Sequence, residues 1–356
     1  MLEFIKPGIN LNFVGRRKIA YTVSFILLAF TIISIAARGG LNYGIDFAGG
    51  AIIQAKLSKP VPPEKVRAAL DKIGLNKASI QQYGIKEGEE YLIQVGVEHK
   101  NLGELTTLVK AALEESFGRG QVDIRRNEMV GPKVGETLRQ KALLAIYYSI
   151  LFLMIYISGR FEMKWLMSIV VAAAMLLVTY IATIAGMSVI YLIVIALMVT
   201  LGVCFLLRLK YALGAIIATL HDVLMIIGFF SFFNKDIDLS IIAALLTIIG
   251  YSLYDTVIVF DRIRENLAKY RKKDHAEIIN SSINETLSRT ILTSTITFSV
   301  VACLFFLGGE VIHDFAFAMM VGIVTGTYSS VFVASPILLI WPEALAKAPQ
   351  KAKIRA

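Results

Sequence analysis

Gly250-Tyr-Ser-Leu-Tyr-Asp-Thr-Val-Ile-Val-Phe-Asp-Arg-Ile-Arg-Glu-Asn266 begins as an apolar run and ends as a charged one. Its first half suits a membrane helix, yet Asp255 lies inside it, with Asp261 and Arg262 at its end. A charged side chain at mid-bilayer costs between about 2.5 and 17 kcal/mol, depending on the scale. Residues kept there against that cost line a proton or ion path, or pair with one another. Asp255 and Arg262 are seven residues apart, nearly two turns. They therefore share one helix face, about 10 Å apart along the axis. Asp261 points away from that face and is expected in solvent at the helix end. The stretch predicts a membrane machine that handles charge.

Composition agrees. Of 356 residues, 56% are hydrophobic and 18% charged, against about 25% charged in soluble domains. Mean hydropathy is +0.67. The net charge of +9 is read as membrane topology, because basic residues gather beside apolar runs and no nucleic-acid-binding signature occurs; no nucleic-acid partner is expected. Cys204 and Cys303 sit inside apolar runs and imply neither a disulfide framework nor a metal site. His99, His275 and His313 lack ligand spacing, so no metal is expected. No phosphate-binding loop occurs, so ATP use by this chain is not expected. The first apolar run follows Arg16-Arg17-Lys18 and reads as a retained signal anchor.

Eight apolar segments are long enough to cross a bilayer of about 30 Å: roughly 18–37, 140–158, 164–185, 188–207, 211–233, 238–260, 290–308 and 314–341. One set of loops holds Arg16 to Lys18, Arg160, Lys164, Arg208, Lys210, the 262–289 loop and the tail with Lys347, Lys351, Lys353 and Arg355. The opposite short loops, 186–188, 234–237 and 308–314, hold only Lys235. By the positive-inside rule both termini are expected in the cytoplasm. Residues 38–139 then form a domain on the far side, 140–341 the membrane domain, and 342–356 a basic cytoplasmic tail whose cations meet membrane lipids. The 38–139 pattern reads strand 51–57, helix 63–73, strand 79–83, strand 91–97, helix 102–117 and strand 121–126. Strand–helix–strand taken twice predicts a small ferredoxin-like α+β domain.

Several residues stand out within this frame. Asp222 is central in its span, 11 residues beyond Tyr211 and 11 before Phe233; a carboxyl there can take and release a proton, or it simply pairs with His221. Thr290, Thr293, Ser294 and Thr297 form one hydroxyl stripe, which either supports a water file beside Asp222 or bonds helix carbonyls. Ala318, Gly322 and Gly326 form a small-residue ridge suited to close helix packing. Asp46 with Gly49-Gly50 marks a hinge, or a plain turn, between the first span and the domain.

Four motifs occur in order: Gly44-Ile-Asp-Phe-Ala-Gly-Gly50, Val130-Gly-Pro-Lys-Val-Gly135 (with Gly131-Pro132), Leu220-His-Asp-Val223 and the Gly250–Asn266 run. They resemble the SecF family, in the SecD/SecF group of the resistance-nodulation-division superfamily. The resemblance implies a polytopic helical membrane protein that works with SecD and the SecYEG translocon in a bacterial inner membrane. It also implies proton-driven assistance to a translocating unfolded chain, with Asp222 and Arg262 on the proton path, and no enzyme activity or cofactor; Asp255 is read as a relay or a structural partner, and Asp261 as a coupling or a solvated residue. Two departures are visible: Ala48 and Tyr254 stand where a polar residue and Asn are expected. A third is larger. Family members have six spans, whereas about 45 residues, 166–210, intervene after Arg160-Phe-Glu162, the length of a transmembrane hairpin. Two other readings remain: a non-conducting membrane scaffold, and a half-size proton-driven efflux transporter. An intramembrane aspartyl protease would need a Gly-Leu-Gly-Asp-like element, which is absent.

Overall fold

Mixed apolar and polar periodicity along the chain separates into two bodies in a computed structural model that describes residues 10–76, 78–83, 90–96 and 102–340. The elements run α1 (Arg17–Ala37), α2 (Ile45–Ala48), β1 (Gly50–Leu57), α3 (Pro63–Asp71), β2 (Ser79–Tyr83), β3 (Glu90–Val95), α4 (Leu102–Phe117) and β4 (Val122–Val130). The helices α5 (Pro132–Glu162), α6 (Trp165–Ile184), α7 (Val189–Leu206), α8 (Lys210–Phe232), α9 (Leu239–Lys269), α10 (His275–Leu307) and α11 (Glu310–Ser329) follow. Among the described residues, 8 helices are long and apolar enough to cross a membrane. The expected tail, residue 97 and His99 lie outside the described residues.

The four strands form an antiparallel sheet in the order β2-β3-β1-β4, the ferredoxin-like arrangement expected from the pattern. Alternate residues of β1 (Ala51, Ile53, Ala55, Leu57) and β3 (Tyr91, Ile93, Val95) bury one face beneath Val66 and Leu70 of α3 and Val109 and Leu113 of α4. Strand β4 runs to Val130, four residues past its expected end at 126. Its Arg125-to-Glu128 segment has no apolar alternation because it is an exposed edge, and only pairing with β1 reveals it.

The membrane helices are longer than their apolar cores. The expected 262–289 loop is mostly a helical hairpin: α9 continues to Lys269 and α10 starts at His275. The extension is amphipathic, burying Ile263 and Leu267 against Ile278, Ile279, Ile283 and Leu287. Asn280 and Asn284 on this extension accept the Phe13 and Leu11 N–H groups, each at 2.8 Å. Helix α5 likewise begins at Pro132, whose missing N–H is no loss in a first turn. The last crossing, Ile312–Ile340, passes from α11 through a π-helical turn at Ser330–Ala334. Pro336 cannot donate to the carbonyl four residues earlier, and Ser335 Oγ donates to Ser330 O at 2.7 Å.

Helix α8 occupies the middle, touching α1, α5, α7, α9 and α11. Helices α6 and α7 pack on α5, on α8 through α7, and on each other, and each buries one stripe: Ser168, Ala172, Met175 and Thr179, then Val189, Leu192, Ala196, Thr200 and Cys204. Their outer faces, including Leu166, Val178, Ile195 and Met198, are exposed and apolar. Ser158 and Ser168 bond at 2.7 Å at the hairpin's foot, and Lys164 Nζ donates to Leu207 O at 3.0 Å.

Candidate functional site

Two glycines allow α8 to be enclosed. A Cβ on Gly214 would lie 2.9 Å from Ala334 O, and one on Gly228 would lie 2.0 Å from Thr31 Oγ1. Between these two approaches sits Asp222, 1% exposed. Its Oδ2 accepts from Ser252 Oγ of α9 at 2.6 Å and from Ser329 Oγ at the end of α11 at 2.8 Å. Its Oδ1 faces His221 Nδ1 at 3.1 Å. The expected alternative, pairing with His221, is therefore part of the arrangement rather than a rival to it.

The small-residue ridge makes this cradle possible. Ala318 is fully buried, and a Cβ on Gly322 would sit 2.5 Å from Ile248. One on Gly326 would sit 3.1 Å from Ser252 Cβ. Without side chains at 322 and 326, α9 and α11 close until Ser252 and Ser329 reach the same carboxylate oxygen. The two serines were not legible beforehand, although Ser252 lies one turn before Asp255 and Ser329 three residues beyond the ridge.

Asp255, also 1% exposed, forms a second polar centre. Ser294 Oγ lies 3.3 Å from its Oδ2 and 2.7 Å from Thr327 Oγ1. The hydroxyl stripe thus meets Asp255, not Asp222: α10 packs on α9 and α11. Thr293 and Thr297 donate to their own helix at Arg289 O and Thr293 O. Thr290 Oγ1 is buried without a hydrogen bond among the described residues. Thr256 and Ser330 bond at 2.8 Å on the same band. Arg289, the cation acting on Asp255, is held by Tyr254 Oη at 2.9 Å, so the tyrosine found in place of Asn has a partner.

Asp255 and Arg262 do share a face, that toward α10, but they do not meet. Arg262 pairs with Glu265 at 3.0 Å and Glu285 at 3.5 Å. Asp261, expected free in solvent, pairs with Arg160 at 2.5 Å, and both are nearly half-exposed. The pair ties α9 to the end of α5 but, at that exposure, contributes at most about 1 kcal/mol. Arg160 lies 101 residues away, beyond any local pattern.

The stretch expected as a hinge or a plain turn is a packed joint. Gly44 N–H donates to Ile237 O at 2.8 Å, and Asp46 Oδ2 accepts from Leu239 N at 3.1 Å, in the first turn of α9. Gly49 takes φ +78°, where its Cβ would lie 2.9 Å from Pro132 Cα. A Cβ on Gly50 would lie 2.7 Å from Val95 O, and one on Gly135 2.8 Å from Phe47 O. Gly131 caps α5 just before Pro132. These glycines serve close approach of backbone to backbone rather than freedom of movement.

The family described as protein export membrane protein SecD/SecF, C-terminal, matches residues 109–203 and 182–344, and the SecD/SecF GG motif matches 33–61. The protein translocase subunit SecF of Calditerrivibrio nitroreducens is 37% identical over 342 residues, covering 95% of this chain and 96% of that one. The chain belongs to the SecF family of protein translocase subunits. A second SecF relative, from Desulfurispirillum indicum, is 40% identical, over 92% of this chain and 91% of its own. A crystal structure of SecDF from Thermus thermophilus, described as a translocon-associated membrane protein, matches with TM-score 0.65 and 30% identity. That match covers 94% of this SecF-family chain, which spans only 39% of the longer SecDF chain. A super-membrane-facing form of SecDF matches with TM-score 0.60 and 28% identity, over 97% of this chain and 40% of that one.

Proposed function

We propose that this SecF-family subunit uses the proton-motive force, through Asp222, to assist translocation of unfolded polypeptides. The observation that carries the reading is the makeup of the Asp222 cradle. An ion pair with a fixed cation would lock a buried carboxylate in its ionised form. Asp222 instead meets two hydroxyls and an imidazole, all able to donate or accept. The cradle therefore suits both the carboxylate and the carboxylic acid. Asp255, bonded to Ser294, extends the same polar band.

SecD is the partner, supplying the other half of the assembly of which this chain matches 39%, and SecYEG the channel served. Both termini face the cytoplasm, and the 38–139 domain faces outward in a bacterial inner membrane. The one basic residue in the outward loops, Lys235, is ion-paired with Asp314, which supports that orientation. Each inward proton releases about 2.3 kcal/mol per 100 mV of membrane potential. Through the packed joint at Gly44–Gly50, movement of α9 against α8 reaches the outer domain, which pulls or holds the emerging chain. The α6–α7 hairpin is an insertion on the six-helix core. Its one-stripe burial and the division of the family match into two stretches that overlap at 182–203, from the end of α6 into α7, support this.

The test is export in inverted membrane vesicles that carry this chain with its partner and an arrested export intermediate. Imposing a proton gradient is expected to speed completion at least roughly tenfold, equivalent to about 1.4 kcal/mol off the barrier, and a protonophore to reverse it. Equal rates with and without the gradient would leave a non-conducting scaffold.

A further inference from the structure

Beside the Asp222 cradle lies a cleft of about 690 Å³, bounded by α1, α7, α8 and the end of the last crossing. Arg17, Tyr21, Ser24, Leu201, His221 and Pro336 are among the residues lining it. These come from the first half of α1, the last turns of α7 and the end of the final span, which all lie toward one membrane surface. In the orientation proposed above, that surface is cytoplasmic. The cleft thus runs from Arg17 at its mouth to His221 near the middle of α8.

His221 stands between cleft and carboxylate. It is 5% exposed, its Nδ1 lies 3.1 Å from Asp222 Oδ1, and its Nε2 makes no hydrogen bond among the described residues. An unpartnered buried nitrogen costs about 1–3 kcal/mol, a cost removed if the ring turns to present it to water in the cleft. The volume is ample for several molecules, which Arg17, Tyr21, Ser24 and His221 can bond within an otherwise apolar lining. The ring stacks on Tyr328, with centroids 5.8 Å apart and planes at 29°, an arrangement that a half-turn about Cβ–Cγ preserves. Tyr328 Oη in turn donates to Ala20 O at 2.7 Å and lies 3.1 Å from Ser24 Oγ. Asp222 on α8, Tyr328 on α11, and Tyr21 and Arg17 on α1 are the titratable or charged groups around this path; α7 contributes Leu201.

We propose that His221 relays protons between Asp222 and a water-filled cytoplasmic cleft, an inference that rests on the proton-coupled reading of Asp222. Nδ1 takes the Asp222 carboxyl proton, giving an imidazolium–carboxylate pair. The imidazolium then loses its Nε2 proton to a cleft water, leaving a neutral Nδ1–H imidazole bonded to the carboxylate. The ring returns to its Nε2–H tautomer by rotating about Cβ–Cγ and exchanging with cleft water.

Two experiments on the full chain with its partner test this. His221→Gln keeps a side-chain amide able to bond Asp222 but carries no proton. At normal membrane levels it is expected to lower gradient-driven export roughly a hundredfold, the low end for a positioned acid–base group. Combined with Asp222→Asn it should add no further loss. Separately, Leu28→Cys in a Cys204→Ala/Cys303→Ala background keeps His221 and reports the cleft itself. A membrane-impermeant maleimide added from the cytoplasmic face is expected to label it. Wild-type export and an unchanged pH profile in His221→Gln, with Asp222→Asn inactive, would overturn the relay alone. Normal export in Asp222→Asn would instead sink the reading on which it rests. Labelling of Leu28→Cys only by a lipid-soluble reagent would mean that acyl chains fill the cleft, and would also overturn the proposal.

Discussion

Asp222→Asn is expected to abolish gradient-driven export while leaving the protein in the membrane and bound to its partner. Asparagine matches aspartate in shape. Its carbonyl oxygen can accept from Ser252 and Ser329, now 2.6 and 2.8 Å from the carboxylate, and its amide can donate to His221 Nδ1. No buried polar group is orphaned, so the fold has little reason to fail. Only proton exchange is lost, and loss of a positioned acid–base group costs roughly a hundredfold or more. The check is reporter export normalised to membrane levels of both subunits. Asp255→Asn provides the contrast: its carboxylate has a single, longer serine contact at 3.3 Å, and a smaller loss is expected. A scaffold that conducts no protons would tolerate both substitutions.

The second large effect is structural. Gly322→Leu is expected to destabilise the subunit and, with it, the Asp222 cradle. The new Cβ would lie 2.5 Å from Ile248 Cδ1 and Cγ1, closer than atoms can pack, so α9 and α11 must separate. Overpacking of a filled core costs about 1–3 kcal/mol, and separation draws Ser252 away from Asp222. The expected outcome is a lower thermal transition of the detergent-solubilised complex, together with reduced export. Gly322→Ala should do less, and less still with Ile248→Val, which gives the methyl room. An unchanged transition for Gly322→Leu would refute the close α9–α11 seam.

The membrane architecture was largely legible because its signals are local. An apolar run interrupted by Asp222 or Asp255 marks both the span and a carboxyl group buried within it. The ferredoxin-like sheet followed from strand–helix–strand spacing, and the ridge at 318, 322 and 326 from residue size alone. What was missed depends on neighbours. The hydroxyl stripe on α10 was left between a water file beside Asp222 and bonds to helix carbonyls, because periodicity defines a face but not the helix opposite it; Thr293 and Thr297 bond carbonyls, and the helix opposite is α9 with Asp255. Ser252 and Ser329 are ordinary residues until packing brings them to one oxygen. Asp261 was read as solvated because Arg160 comes from a distant helix end. The helical extensions past the membrane were read as loop because their apolar residues are sparse and their charges many. The joint at Gly49-Gly50 shows the limit in reverse: glycine allows either motion or close approach, and only the 2.9 Å clearance to Pro132 decides between them.

The central claim is that Asp222 exchanges a proton within the membrane. Infrared difference spectra of the reconstituted complex, recorded as the pH is stepped, test it most directly. The account predicts a protonated-carboxyl carbonyl band that appears and disappears with pH in the unmodified protein and is missing from Asp222→Asn. Identical titrating bands in the two proteins would contradict it.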